Sequence, residues 1–250
     1  VAPATKALEQ RSIKLILEPN TEYYRSAIVT LQSPDGNLSL EYTIEQDGDK
    51  GVYIDPTKIP DNEIWYVTNK GTDGYVSSLD PIAFDANIIE HVYEGGKWII
   101  RFDDALKTLK FPSLCGLTYE TTITELYLPN SLEHLENMAT NLEITEFYVP
   151  KNLKSLYMPE ISWGEKLERF LGDNVSKDGR CIVINDKLCA FAPVGIEEYT
   201  IPEGITTIGQ QAIRSEELKS IIVPEGVTTL ESEAFCSHNI EYINLPSSLT

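Results

Sequence analysis

One hydrophobic pattern recurs along much of the chain. It reads apolar, two variable positions, apolar, variable, apolar, proline. It appears at Ile123-Thr-Glu-Leu-Tyr-Leu-Pro129, Ile144-Thr-Glu-Phe-Tyr-Val-Pro150, Ile196-Glu-Glu-Tyr-Thr-Ile-Pro202, Leu218-Lys-Ser-Ile-Ile-Val-Pro224 and Ile240-Glu-Tyr-Ile-Asn-Leu-Pro246. Leu167-Glu-Arg-Phe-Leu-Gly-Asp173 is a degenerate copy, and a looser one is expected at Ile99 to Asp103. The alternating end of each copy predicts a short strand. The proline closes it, because it has no N–H to donate to a ladder. A second apolar set follows, as in Ile205, Ile208, Ala212 and Ile213, or Val227, Leu230, Ala234 and Phe235. That set is expected to turn the chain back over the core.

The spacing decides the architecture. Pro202, Pro224 and Pro246 lie 22 residues apart, and Pro129 and Pro150 lie 21 apart. A repeat of this length cannot bury its own apolar face, but stacked neighbours can, so the pattern predicts a solenoid. From Asp173 to Pro202 the interval is 29 residues, and an insertion accounts for the excess. Cys181-Ile-Val-Ile and Lys187-Leu-Cys-Ala-Phe191 flank Asn185-Asp186, which predicts a β-hairpin with a two-residue turn.

Residues 1–50 follow a different rule. Ile13 to Leu17, Ser26 to Gln32 and Leu38 to Gln46 alternate polar and apolar, separated by Glu18-Pro19-Asn20 and Pro34-Asp35-Gly36-Asn37. They predict an antiparallel meander too small to stand alone. Residues 51–83, with Asp55, Pro56, Pro60, Gly71, Gly74 and Pro81, read as a turn-rich connector and N-terminal cap containing one strand, Ile64-Trp65-Tyr66-Val67. The solenoid is expected over 84–250. The fold class is therefore mainly β with short helical or irregular turns, a solenoid preceded by a small antiparallel segment.

Composition narrows the partners. The chain has 39 Asp and Glu against 20 Lys and Arg, a net charge of -19. Such a surface repels polyphosphate and anionic membrane, so nucleic acid is not expected as a partner. No apolar run is long enough to cross a bilayer, and the only membrane link expected is a lipid anchor outside this sequence. The chain starts at Val1 and stops after Pro246-Ser-Ser-Leu-Thr250, inside a repeat. A leading segment removed by processing or cloning is expected, and so is either further chain at the other end or an open end that pairs with another copy.

Little points to catalysis. His91, His134 and His238 are far apart, and Cys115, Cys181, Cys189 and Cys236 form no CxxC pair, so neither metal nor cofactor is expected. Asp103-Asp104 reads as a turn after a strand. Asp47-Gly-Asp49-Lys-Gly51 lacks the ligand spacing of a calcium loop and reads as a hinge.

Pro202-Glu-Gly-Ile-Thr-Thr-Ile-Gly, Pro224-Glu-Gly-Val-Thr-Thr-Leu-Glu-Ser-Glu-Ala-Phe and Ala190-Phe191-Ala192-Pro193 closely resemble the BspA-type leucine-rich repeats of bacterial surface proteins. Arg25 to Leu31 followed by Leu38 to Gln46 resembles the closing strands of a bacterial Ig-like domain of the BACON type. The resemblance implies an exported, non-enzymatic protein at the cell surface, adhesin-like, whose ligand is a host protein or glycan. The competing expectation is a spacer or assembly module with no ligand of its own.

With the first, fourth and sixth template positions turned inward, the third and fifth point out of the sheet. The candidate binding residues are therefore Glu125, Tyr127, Glu146, Tyr148, Arg169, Leu171, Glu198, Ile222 and Tyr242. Tyr127, Tyr148 and Leu171 are expected to touch in one apolar stripe. Cross-strand aromatic pairs also stabilise sheets, which is the alternative role for that stripe.

Overall fold

The structure, a computed structural model, describes residues 17–18, 25–33, 37, 39–46, 53–76, 79–110, 121–136, 142–157, 166–236 and 239–250. The chain divides into two compact units, Val1–Tyr53 and Ile54–Thr250.

In the first unit, β1 (Arg25–Gln32) and β2 (Ser39–Gln46) pair antiparallel, Arg25 opposite Gln46 and Gln32 opposite Ser39. The register gathers Ala27, Val29, Leu31, Leu40, Tyr42 and Ile44 on one face. The strand expected at Ile13 to Leu17 lies, apart from Leu17, outside the described residues. So does the Asp47 to Gly51 hinge.

The second unit opens with two aspartate-capped turns. Asp55 accepts from the Thr57 N–H at 3.0 Å and starts a 3-10 turn at Pro56–Lys58. Asp80 does the same for Ile82 at Pro81–Ala83. In each, proline sits where no N–H is needed. These turns bracket β3 (Glu63–Thr68), which is followed by β4 (Ile88–Glu94) and β5 (Lys97–Phe102). Gly95 and Gly96, both at positive φ, make the β4–β5 turn.

Here the structure corrects one expectation. Ile99 to Asp103 is not a loose copy stacked in the parallel ladder, because β5 runs antiparallel to both β3 and β4. Its return half does stack: β6 (Thr108–Leu109) pairs parallel with a later strand, Thr108 opposite His134. The first true repeat strand, β7 (Ile123–Tyr127), pairs antiparallel with β3, giving a sheet ordered β4-β5-β3-β7. β3 thus wedges between β5 and β7 and occupies the edge on which a preceding coil would stack.

From β7 onward the coils repeat. β8 (His134–Glu136), β9 (Glu146–Tyr148), β10 (Ser155–Tyr157) and β11 (Arg169–Leu171) precede the hairpin β12 (Cys181–Ile184) and β13 (Lys187–Phe191). Then come β14 (Glu198–Thr200), β15 (Thr207–Ile208), β16 (Ile213–Arg214), β17 (Ser220–Ile222), β18 (Thr229–Leu230), β19 (Phe235–Cys236) and β20 (Tyr242–Asn244). The template strands build one set of parallel ladders, β9–β11 and β14–β17–β20. The return halves build a second set, β6–β8–β10 and β13–β15–β18, and a third, β16–β19.

The turn after each proline explains why the motif holds its spacing. The carbonyls of Pro129, Pro150, Pro224 and Pro246 each accept the N–H three residues on, from Leu132, Leu153, Val227 and Leu249. The turn swings that apolar residue inward, and Leu132, Leu153 and Val227 are buried. Template positions one, four and six form the core with them at Ile144, Phe147 and Val149 and at Leu218, Ile221 and Val223, whereas in the last copy Ile243 is 39% and Leu245 49% exposed. Each such side chain contributes roughly 1.5–3 kcal/mol on leaving water.

The degenerate copy has a visible cause. Gly172 stands where the sixth apolar residue belongs, at φ +118°, and a Cβ there would lie 2.9 Å from the Val149 carbonyl oxygen. Only glycine tolerates both conditions. The hairpin follows, its turn made by Asn185 and Asp186 at φ 51° and 60°. These residue types favour that left-handed conformation.

Candidate functional site: the outward face of the template strands

The template strands place the candidate residues in two blocks. In the first, β9 and β11 set Glu146 opposite Arg169 and Tyr148 opposite Leu171. Arg169 Nε donates to Glu146 at 2.6 Å, and its Nη2 contacts the same carboxylate. In the second block, Glu198, Ser220 and Tyr242 lie in register, as do Thr200, Ile222 and Asn244. Ile222 is 41% exposed and Tyr242 57%. The two blocks belong to separate sheets, so the single unbroken ladder expected from the repeat is interrupted at the hairpin insertion.

Tyr127 and Glu125 lie on β7, next to β3 of the cap. The bridge between this repeat and the next joins Ile123 to Leu142, two residues ahead of the template partner Ile144. On the other edge of β7, Tyr127 lies opposite Trp65 of β3. Its hydroxyl donates to Glu125 at 2.9 Å. Burial lifts the Glu125 carboxyl above the ordinary glutamate range, and the Tyr127 hydrogen bond offsets part of that rise.

Trp65 escaped the sequence reading. Its strand was legible, but not that β3 would face β7 some sixty residues away. Trp65 donates through Nε1 to Glu63 at 2.5 Å, and Lys97 Nζ stands 4.4 Å from the centre of its ring. Arg101, beside them, binds Glu63 at 2.9 Å and Glu94 at 2.7 Å and also meets Glu90. The charges of this part of the face are thus largely satisfied among themselves.

Burial pushes the Cys181 thiol up to about 12 and the Cys189 thiol up to about 11, so both stay protonated at neutral pH. Cys181 contacts the Tyr199 hydroxyl at 3.2 Å, and Tyr199 donates to Asp178 at 2.9 Å. His91 meets the Tyr66 hydroxyl at 2.7 Å among Tyr75 and Trp98, and burial depresses it to about 4. His134 Nδ1 lies 2.8 Å from Ser155 Oγ, a cross-strand contact in the second ladder that no motif in the sequence signals. Among the described residues no carboxylate orients that imidazole, so the pair lacks the third member of a triad.

Asp103 binds the Asn87 N–H at 2.8 Å and its Nδ2 at 2.7 Å, and these bonds hold its carboxyl below the usual range. It closes the turn after β5. His238 and Cys115 lie outside the described residues. Among the described residues no group of three His, Cys, Asp or Glu side chains could hold a metal ion.

Two clefts are lined by polar groups. One, of about 380 Å³, lies beside the start of β14, β17 and β20 between Glu197, Glu216, Glu217, Lys219 and Glu241. The other, of about 360 Å³, lies between the β10 and β13 ladders and includes Lys154, Ser155, Lys187 and Cys189. Both lysines there are engaged, Lys154 with Glu133 and Lys187 with Glu231.

Residues 183–250 match a family model described as a BspA type Leucine rich repeat region (6 copies). No curated protein matches the chain, and no solved structure does. The matched residues run from within β12 to Thr250, so the segment with the most regular ladders is the one that the family model matches.

Proposed function

We propose that this protein, whose last 68 residues match the BspA type leucine-rich repeat model, is a non-enzymatic binding protein of the bacterial surface or the secreted fraction. It works adhesin-like, taking a host protein or glycan on the outward face of the template strands. The observation that carries this reading is the in-register column Glu198, Ser220, Tyr242 beside Thr200, Ile222, Asn244. A stacked ladder repeats these positions about every 4.8 Å, which offers an extended ligand evenly spaced contacts. Exposed apolar side chains such as Ile222 and Tyr242 are the kind that anchor partners.

A second reading rests on a specific observation. Arg169 with Glu146 and Lys219 with Glu197 pair successive coils across this same face. Such pairs stiffen a rod, as a spacer requires. Binding of the purified protein to arrays of extracellular-matrix proteins and glycans separates the two. A ligand whose affinity falls on Ile222→Ser with Tyr242→Ser supports the binding role. No binding to either array supports the spacer.

A further inference from the structure

The outward face of β14, β17 and β20 carries an exposed apolar pair, and carboxylates line the cleft at the start of the same strands. Ile222 and Tyr242 lie on neighbouring strands two register positions apart, a diagonal that long side chains span. One position before the outward residues, Glu197, Lys219 and Glu241 follow one another down the ladder. Lys219 is committed to Glu197 at 2.9 Å, and that bond raises its pKa. Glu217 accepts the Gly195 N–H at 2.9 Å. Among the described residues the carboxylates of Glu216 and Glu241 accept no hydrogen bond, Glu241 acts on Lys219 only through its field, and both line the 380 Å³ cleft at the start of these strands, where Glu241 precedes Tyr242 in the chain.

The cleft thus sets Glu197, Glu216, Glu217 and Glu241 against one cation, Lys219, and the strands it adjoins carry the apolar pair, on a chain of net charge -19. An acidic glycan is repelled by it, and a neutral one makes no use of the charge. We propose that the occupant of this face is a cationic protein segment in which Lys or Arg alternates with apolar residues. Its apolar side chains rest on Ile222 and Tyr242, and its basic side chains reach Glu216 and Glu241. This rests on the binding role proposed above and names the chemistry of the partner. Electrostatic attraction of this kind speeds encounter and is screened by salt.

The test uses a fluorescent decapeptide of alternating Lys and Leu, with a Glu–Leu decapeptide of the same length as its counterpart, read by anisotropy. At ~0.15 M salt the basic peptide is expected to bind and the acidic one not. Ile222→Ser with Tyr242→Ser, and separately Glu216→Gln with Glu241→Gln, are each expected to weaken binding about tenfold. Asp186→Asn with Glu203→Gln removes the same charge from turns elsewhere and is expected to leave binding unchanged. Unaltered melting temperatures show that the variants fold. Equal weakening by the turn pair, or no weakening by the face pairs, overturns the proposal. If the arrays instead return a neutral glycan lost on Ile222→Ser with Tyr242→Ser, the binding role stands and this inference falls.

Discussion

Lys187 and Glu231 belong to coils two repeats apart, yet Lys187 Nζ lies 2.7 and 2.8 Å from the two carboxylate oxygens of Glu231. The intervening coil places Gly209 between them. A Cβ on Gly209 would lie 2.7 Å from Lys187 Cε and 2.9 Å from the Leu188 carbonyl oxygen. The missing side chain is what lets the lysine cross. Glu231 also accepts the Gln210 N–H at 2.9 Å, so one carboxylate ties three coils together and sits below the usual glutamate range.

Gly209→Ala is accordingly expected to destabilise the protein by about 1–3 kcal/mol, the usual penalty of overpacking. Urea unfolding checks it. In the Lys187→Met background the loss shrinks but persists, because the Leu188 carbonyl contact is backbone.

The ion pair itself is worth less. Both side chains are 36% exposed, so solvent screens the attraction. A double-mutant cycle of Lys187→Met and Glu231→Gln is expected to return a coupling of ~0.5 kcal/mol that falls in high salt. A coupling several times larger would show that the pair is far better shielded than its exposure indicates.

Truncating the core should act on a different scale. Phe147 and Ile221 are fully buried at the fourth template position, in the two separate sheets. Phe147→Ala is expected to cost about 3–5 kcal/mol and Ile221→Ala about 2–5. Thermal or denaturant midpoints measure both.

How far the sequence foretold this arrangement differs between its halves. From Ile196 onward the period, the apolar triad and the proline all repeat on the same 22-residue beat, so local pattern and stacking agree. The Asn185-Asp186 turn was equally plain. β5 misled because Ile99 to Asp103 fits the repeat locally, while its antiparallel pairing depends on β3, thirty-odd residues earlier. Trp65 as a neighbour of Tyr127 was hidden for the same reason: it enters from the cap, and the bridge from Ile123 to Leu142, two residues ahead of Ile144, leaves no trace in the hydrophobic pattern. The three-sided coil, with β16–β19 as its third ladder, was hidden because two-residue strands carry no periodicity to detect.

Acid should weaken the cap through His91. Its folded pKa, about 4, lies below the unfolded value of 6.5. The unfolded chain therefore takes up a proton that the folded chain refuses. Stability is complete above pH ~6.5 and is lost as pH falls through about 4. Because His91 is only partly buried, the loss is on the order of 1 kcal/mol. An NMR titration of its imidazole should show a midpoint near 4, and His91→Gln should flatten that part of the stability profile.

Glu125 shifts in the opposite sense. Its raised carboxyl favours the protonated form in the fold, so its contribution is present at low pH and lost as pH rises through its folded value. At pH ~7 the charged form is held against burial. Glu125→Gln keeps an acceptor for the Tyr127 hydroxyl and is expected to raise the neutral-pH melting temperature, with the gain fading toward acid. A lower melting temperature at neutral pH would mean that the charge itself stabilises the site.

The stacking of coils is tested most directly by nuclear Overhauser contacts between strands in an isotope-labelled sample. The register pairs Tyr199 with Ile221 and Ile221 with Ile243, so backbone contacts are expected between residues 22 apart along all three strands, in the parallel pattern. Antiparallel contacts among these segments, or none at that separation, would contradict the solenoid and everything built on its outward face.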